Sequence, residues 1–285
     1  MNNDKITKIL GREQHSVLLS DNHTQLKFSK HERILITGAN GSIGEALERR
    51  LSKYDNISLL TTDIEGSHHY MDVTDFQNVF SVINKFKPTI IVNIAGAKHA
   101  PLGEREIWKT LSINTVGMKN IIDSAPSDCK IVLTSTCKAN NPEIVYGASK
   151  LIAEKMVLSA GGSIARYFNV IETSGNVFEI WEKLDNRQPI KVASKCERHF
   201  ISVEESIGLI IYSMIAPAGR YIVNSPRKRK MKDIANELYP NREKTTIEPR
   251  TGDRICELFK SSSEEIESYH LDSSIIKLKS IHDFN

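Results

Sequence analysis

A glycine-rich turn near the start of the chain restricts the possible folds more than any other feature of the sequence. The segment from Gly38 to Gly44 (Gly-Ala-Asn-Gly-Ser-Ile-Gly) follows a short apolar run, Arg33–Thr37, and precedes apolar residues at four-residue spacing. Strand, glycine turn and helix in this order are typical of a dinucleotide-binding unit, because the helix N-terminus offers backbone amides to phosphates. We therefore expect six residues of the turn to bind cofactor: Gly38, Asn40, Gly41, Ser42, Ile43 and Gly44.

Strand and helix patterns alternate as far as about residue 170. Apolar strand runs at 57–61, 90–94, 130–134 and 163–166 are separated by helical patterns at 42–53, 74–86, 107–124 and 147–159. This alternation predicts an α/β fold with a doubly wound, parallel Rossmann-type sheet. The alternation then decays, which indicates a small irregular C-terminal substrate lobe. The predicted divisions are an N-terminal arm (1–30), an NAD-binding Rossmann domain (31–170) and a mainly substrate-binding lobe (171–285), segments of which can return to the core.

Carboxylates after the glycine turn bear on which dinucleotide is bound. Asp63 lies at the predicted end of the second strand, where it can accept hydrogen bonds from the adenosine ribose hydroxyls. No arginine adjoins Asp63 to hold a 2′-phosphate, so the sequence favours NAD, with NADP as the other possibility. Asp72 is expected either to contact the adenine edge or to cap the next helix, and the sequence leaves both open. Ala95, at the end of the third strand, is a further predicted cofactor contact.

Tyr146 and Lys150 form a Y-x-x-x-K motif at the start of the helix that follows the fourth strand. Residues four apart share one helix face, so a lysine ammonium at Lys150 is expected to lower the pKa of the phenol. A tyrosinate can then take a proton from a substrate hydroxyl, and Thr136 can hydrogen-bond the same oxygen. Together with the glycine turn, the motif predicts a catalytic site that oxidises a hydroxyl, and Tyr146 and Lys150 are also predicted to contact the cofactor.

With these motifs the chain resembles the extended short-chain dehydrogenases/reductases. More narrowly, it resembles the polysaccharide-biosynthesis group of UDP-N-acetylglucosamine 4,6-dehydratases, some of which invert C5. Residues 135–142 are similar to that group's Ser-Thr-Asp-Lys-Ala-Val-Asn-Pro, and residues 250–254 to its Arg-Pro-Gly-Glu-Lys. Residues 10–13 resemble its N-terminal arm, and residues 97–102 resemble its loop after the third strand.

The resemblance implies a reaction and a set of substrate ligands. Tyr146 would remove the C4 hydroxyl proton of a UDP-N-acetylhexosamine while hydride passes to the cofactor, and Lys138 would serve the later loss of water between C5 and C6. The expected pathway is surface polysaccharide or glycan biosynthesis. Guanidinium groups suit a diphosphate because their planar fork makes paired hydrogen bonds. The implied substrate-binding residues are Lys98, His99, Asn169, Arg198 and Arg250, although a packing or capping role for His99 is equally open.

Cys137 stands where the resembled group has its active-site aspartate. A thiol with a pKa near 8.5 is mostly protonated at neutral pH, but it is a weaker hydrogen-bonding group than a carboxylic acid. Cys137 either replaces the acid, in which case it should lie in the cleft near the nicotinamide, or marks an epimerase or 4-keto reductase. A non-catalytic protein that binds NAD or a nucleotide sugar is the third possibility, and the intact Tyr146 and Lys150 argue against it.

Composition and charge exclude other classes of function. A net charge of +3 over 285 residues is too small to predict a nucleic-acid surface. No apolar run reaches the roughly 20 residues of a membrane span, and no apolar leader follows the polar N-terminus. The four cysteines include no C-x-x-C pair, so we predict no metal site, free thiols and a cytoplasmic location. Because the polar arm has no core of its own, we expect a homo-oligomer.

Overall fold

The structure is a computed structural model that describes residues 1–19, 27–28, 30–66, 68–250 and 252–283. The helices are α1 (Asn3–Leu10), α2 (Ser16–Leu19), α3 (Ser42–Leu51), α4 (Phe76–Phe86), α5 (Ala100–Gly103), α6 (Ile107–Leu111), α7 (Gly117–Ser124), α8 (Val145–Ser159), α9 (Val177–Lys183), α10 (Val203–Ile215) and α11 (Met231–Leu238). A π-helical segment, Ser112–Val116, joins α6 to α7, and a 3-10 turn spans Cys137–Ala139.

The strands along the main part of the chain are β1 (Glu32–Thr37), β2 (Ile57–Asp63), β3 (His69–Tyr70), β4 (Ile90–Asn93), β5 (Lys130–Thr136), β6 (Ser163–Tyr167) and β7 (Asn169–Val170). The later strands are β8 (Ile190–Val192), β9 (Glu197–Arg198), β10 (Phe200–Ile201), β11 (Gly219–Val223), β12 (Arg229–Lys230), β13 (Lys244–Thr246), β14 (Glu264–His270) and β15 (Ile275–Ser280).

One large sheet has the strand order β14-β15-β11-β6-β5-β4-β1-β2-β3 among the described residues. In this order, the seven neighbouring strands β11, β6, β5, β4, β1, β2 and β3 are parallel. The strands β15 and β14 add an antiparallel edge beside β11. Strands β2 and β3 are added on one side of β1, and β4, β5, β6 and β11 on the other, so the strand order reverses between β1 and β4. Ligands of open α/β sheets bind in the crevice at the carboxyl ends of such a pair. The predicted doubly wound Rossmann-type fold is thereby confirmed.

The second half of the chain contributes more to this sheet than the sequence pattern indicates. The strand β11 pairs with β6, and the hairpin of β14 and β15 closes the edge. Helix α10 packs against β5, β6 and β11, and every residue from Glu205 to Met214 is buried. A helix that is buried all round lacks the polar face that gives amphipathic periodicity, which explains why the pattern appeared to end near residue 170.

The N-terminal helix α1 packs its apolar residues against other parts of the same chain. Ile9 and Leu10 of α1 are buried in the apolar cluster that also contains Trp181 of the lobe, and α1 packs on α11. The side chain of Arg12 makes two hydrogen bonds of 2.7 and 3.1 Å to Glu205. The arm thus has no separate core, and its apolar residues are covered by residues far along the same chain. In the described part of the chain, no helix is long and apolar enough to cross a membrane.

Candidate functional site

A cavity of about 870 Å³ opens at the carboxyl ends of β1, β2, β4 and β5. It collects side chains and backbone that are distant in sequence, as the crevice beside a reversal of strand order should. Most of the predicted cofactor-binding residues line it, namely Gly38, Gly41, Ser42, Ile43, Asp63, Asp72, Ala95 and Tyr146. We refer to this space as the cofactor cavity.

Gly38 and Gly44 each need to be glycine, and the steric reason differs between them. Gly38 has a φ of +69°, and a Cβ there would lie 2.6 Å from the backbone nitrogen of Ala95. A Cβ on Gly44 would lie 2.5 Å from the carbonyl oxygen of Gly38, so Gly44 is needed for packing of the helix against the turn and does not line the cavity. Gly41 is the N-cap of α3, and no side chain caps this helix end. The first amides of α3 are therefore available to an anion in the cavity.

Asp63 is fixed at the end of β2 by two backbone amides. Its Oδ2 accepts from the amide of Asn40 at 2.9 Å and its Oδ1 from that of Ile64 at 2.8 Å, so Asn40 supports Asp63 from outside the cavity lining. Asp72 also lines the cavity, and its Oδ1 accepts from the amide and the hydroxyl of Thr74. The N-cap of α4 is Asp75, not Asp72.

Thr136 and Tyr146 line the cofactor cavity on its β5 side. Burial raises the pKa of Tyr146, while the positive charge of Lys138 and a hydrogen bond with the Thr136 side chain lower it. Lys138 is thus a cation that lowers this pKa, a role that the sequence analysis had assigned to Lys150, and the expected effect of Lys150 stays a prediction. The Nζ of Lys150 donates to the carbonyl of Thr134 at 3.1 Å, and the residue is buried and does not line the cofactor cavity.

Asn114 is a buried residue that the sequence analysis missed, and it lies beside Lys150. Its Oδ1 accepts from the amide of Ala97 at 2.8 Å, and its Nδ2 donates to the Ser149 hydroxyl at 3.0 Å. A Cβ on Gly96 would lie 3.1 Å from both the Asn114 Oδ1 and the Lys150 Nζ. Asn114 belongs to the π-helical segment, and single π-turns within helices are frequent at functional sites. Burial lowers the pKa of Lys150 to about 8.

An unpartnered hydroxyl supports the fit of a polar ligand in the cofactor cavity. Tyr167 lines the cavity and is 9% exposed, yet its Oη is buried and has no hydrogen-bond partner among the described residues. Burial raises the pKa of Tyr167, so the hydroxyl is a neutral donor. An orphaned buried donor is costly unless a bound molecule satisfies it. Together with the open end of α3, it gives this cavity the features that a dinucleotide requires.

Cys137 does not line the cleft, and the expectation that it does was wrong. It is 2% exposed and packs in the main apolar core beneath the cavity. Burial and the charge of Glu257 raise its pKa to about 11, so it is a thiol at neutral pH. The β5 strand ends at Thr136, and the 3-10 turn that follows directs Lys138 to the cavities while Cys137 faces the core.

A second cavity of about 870 Å³ lies between the sheet and the lobe, and we refer to it as the substrate cavity. The predicted substrate-binding residues all line it, namely Lys98, His99, Asn169, Arg198 and Arg250. Its boundary with the cofactor cavity is formed by residues that line both spaces, namely Lys98, Lys138, Asn169, Val170 and Thr173. The two cavities therefore meet where the catalytic and substrate residues were predicted to meet.

The two arginines that line the substrate cavity are paired with carboxylates of the same chain. Arg198 is paired with Asp253 at 3.2 Å and with Glu257 at 3.1 Å. Arg250 is more exposed and contacts Asp253 at 3.5 Å. Glu257 is 2% exposed and was not singled out in the sequence, because its only local signal is a position three residues beyond Arg254.

Comparisons with known proteins find relatives that align with most of this chain. The chain is 27% identical over 266 residues to the protein named Probable polysaccharide biosynthesis protein EpsC of Bacillus subtilis, covering 82% of this chain and 44% of EpsC. It is 25% identical over 285 residues to the UDP-N-acetylglucosamine 4,6-dehydratase (inverting) of Campylobacter jejuni, covering 87% of this chain and 84% of that enzyme. The chain thus spans less than half the length of EpsC but most of the dehydratase.

The solved structure of Pen from Bacillus thuringiensis has the same fold, with a TM-score of 0.77, 20% sequence identity and 90% coverage of both chains. A family model described as polysaccharide biosynthesis protein matches residues 34–279, which include the glycine turn and every predicted catalytic residue. As its resemblance to that group of extended short-chain dehydrogenases/reductases predicted, the chain belongs to the polysaccharide biosynthesis protein family.

Proposed function

We propose that this chain oxidises C4 of a UDP-linked N-acetylhexosamine with a recycled nicotinamide cofactor, and that the net reaction is 4,6-dehydration in surface polysaccharide or glycan biosynthesis. The observation that carries the proposal is the boundary between the two cavities. Lys138 and Asn169 line both spaces there, while Thr136 and Tyr146 face the cofactor cavity. A hydroxyl entering from the substrate side would meet the phenol and the cofactor together.

The residues present would divide the chemistry among them. A bound nicotinamide would supply the hydride acceptor and return the hydride at the end. Tyr146, hydrogen-bonded with Thr136, would take the proton of the C4 hydroxyl. The resulting ketone would acidify the C5 hydrogen, and Lys138 would act on that side of the sugar. The open end of α3 would hold the cofactor phosphates, and Tyr167 would donate to a polar group of the bound cofactor.

NAD is proposed over NADP because of Asp63. A 2′-phosphate beside a fixed carboxylate is electrostatically unfavourable, whereas ribose hydroxyls can donate to it. All four cysteines are free thiols, which supports a cytoplasmic enzyme. The proposed assembly is a homo-oligomer, in keeping with the resembled group, and a light-scattering mass of one chain would contradict it.

A second candidate function is epimerisation or 4-keto reduction. The observation that favours it is Cys137, because a buried thiol with a pKa of about 11 is a poor substitute for the aspartate of the dehydratases. Incubation of the NAD-loaded protein with UDP-N-acetylglucosamine, followed by mass spectrometry and NMR of the sugar, distinguishes the two. Loss of one water supports dehydration, and unchanged mass with an altered sugar spectrum supports epimerisation. An unmodified sugar would refute both of these reactions with this substrate.

A further inference from the structure

The buried carboxylate of Glu257 lies next to Lys138 although the two residues are far apart in sequence. The Oε1 of Glu257 is 3.8 Å from the Lys138 Nζ and 3.1 Å from the Arg198 Nη1. Its Oε2 accepts from the Asn169 Nδ2 at 2.7 Å and from the backbone amide of His199 at 3.2 Å. The Oε1 of Glu257 thus contacts two cations. Its Oε2 accepts a hydrogen bond from the side-chain amide of Asn169, a predicted substrate-binding residue.

The carboxylate of Glu257 matters because the chain has a cysteine at position 137, where the resembled group has an aspartate. The segment from Thr136 to Lys138 contains no carboxylate, so it places none at the cavity boundary. Glu257 approaches Lys138 from the C-terminal segment and is 2% exposed, so water screens its charge little. An isolated carboxylate buried this deeply would be unstable, and its four contacts explain why the fold tolerates it.

We propose that Glu257 is a positioning residue that keeps Lys138 in its ammonium form and fixes Asn169 at the boundary between the two cavities. Lys138 then meets the sugar as an ammonium at neutral pH, so it would donate a proton to the departing C6 hydroxyl, and the amine so formed would accept the C5 proton. This inference rests on the function proposed above for its catalytic consequence, but the coupling between Glu257 and Lys138 is a property of the protein alone.

The charge balance around Lys138 supports the direction of this effect. Burial lowers the pKa of Lys138, but Cys137, Glu257 and Tyr146 together raise it above its usual value, against Arg198. Cys137 and Tyr146 are neutral at pH 7, because their own pKa values are raised. Of the three groups that raise this pKa, only Glu257 is a carboxylate. The other charged groups nearby are Arg198 and Lys98, and Asp253, which is paired with Arg198 at 3.2 Å.

Substitution of Glu257 tests the coupling without any assay of activity. Trace acetylation across a pH series, read by peptide mass spectrometry of the NAD-loaded protein, measures the labelling midpoint of Lys138 against the exposed Lys119. We expect the wild-type Lys138 midpoint to lie well above pH 7 although the side chain is buried. Glu257→Gln should lower it by about one pH unit or more, as expected for loss of an opposite charge within about 4–6 Å. Glu257→Asp should retain most of the effect, and the charge-matched Glu265→Gln in exposed β14 should change nothing.

Activity measurements then separate this inference from the proposed function. Glu257→Gln should reduce kcat for UDP-N-acetylglucosamine at least tenfold and move the alkaline limb of its pH profile downward, with NAD affinity unchanged. A wild-type Lys138 midpoint at or below pH 7 overturns the inference even if Glu257→Gln does not fold. So does a folded Glu257→Gln protein with an unchanged midpoint. A shifted midpoint in a protein that leaves UDP-N-acetylglucosamine unmodified upholds the coupling and overturns the proposed substrate reaction.

Discussion

The Oδ2 of Asp63 accepts a 2.9 Å hydrogen bond from the backbone amide of Asn40, which joins the end of β2 to the glycine turn. The carboxylate is thereby fixed on the wall of the cofactor cavity, one strand away from the N-terminus of α3. A negative charge in a fixed position can discriminate between ligands because it cannot rotate away from a second anion.

Removing this charge should weaken the preference for NAD. At 4 Å, two unit charges repel by about 1 kcal/mol in water and about 4 kcal/mol at an effective dielectric constant of about 20. Asp63→Asn should therefore raise the NADP-to-NAD affinity ratio by about tenfold or more, measured by calorimetric titration with both dinucleotides. Glu65→Gln removes an equal charge from an exposed neighbouring position and should leave the ratio unchanged. Tighter binding of NADP than of NAD by the wild-type chain would reverse our cofactor assignment.

Tyr146→Phe should abolish turnover while leaving the dinucleotide bound. The substitution removes the hydroxyl that is hydrogen-bonded with Thr136, and a positioned proton acceptor contributes roughly 10²–10⁴-fold to rate. The cofactor affinity should stay within about twofold, because the dinucleotide depends mainly on the backbone of the turn. Initial rates and NAD titrations check both expectations. Tyr70→Phe, at an exposed tyrosine of β3, is the control, and a Tyr146→Phe enzyme that keeps a tenth of its activity would show that another group is the base.

Cys137 should behave as a core residue. With a pKa of about 11, roughly one thousandth of it is thiolate at pH 8, and only the thiolate is alkylated. Iodoacetamide should modify the exposed Cys256 well before Cys137, as followed by peptide mass spectrometry. Cys137→Ala should cost about 1–2 kcal/mol of unfolding free energy and keep turnover within a few-fold. Strong loss of dehydration in a stable Cys137→Ala enzyme would restore the role of Cys137 as the acid.

Lys150 should make the cofactor-free protein less stable below pH 8. Its pKa is lowered by burial to about 8 in the folded chain, so between about pH 8 and 10.5 the unfolded chain binds more protons. The stability contributed by this residue therefore rises with pH through that window. Lys150→Met should raise the unfolding free energy by roughly 1–3 kcal/mol at pH 7, and this gain should shrink toward pH 10. Urea denaturation at several pH values measures it, and Lys119→Met at an exposed site is the control. A gain that does not depend on pH would contradict the assignment.

The local parts of this protein follow from its sequence. The turn from Gly38 to Gly44, the carboxylate at the end of β2 and the Tyr146 motif all lie at strand-to-helix junctions whose spacing is fixed by the length of each element. Because the carboxyl ends of parallel strands meet at one edge, the alternation of strands and helices was enough to predict that these residues share a cleft. Residues 107–124 and 147–159 were likewise recognisable as helical from their length, and the second also from the two glycines at 161 and 162 that follow it.

Only the tertiary structure decided which neighbours each side chain has. Helix α10 gave no periodic signal because it is buried on all sides, and α1 looked unsupported because its apolar partners lie near the opposite end of the chain. Cys137 and Lys138 are adjacent in sequence, yet a single 3-10 turn sends one into the core and the other to the cavities. Glu257 reaches Lys138 because the C-terminal segment pairs with β9, where the Glu257 amide donates to the Glu197 carbonyl at 3.1 Å. A contact of this kind depends on long-range packing and leaves no spacing in the sequence from which it could be predicted.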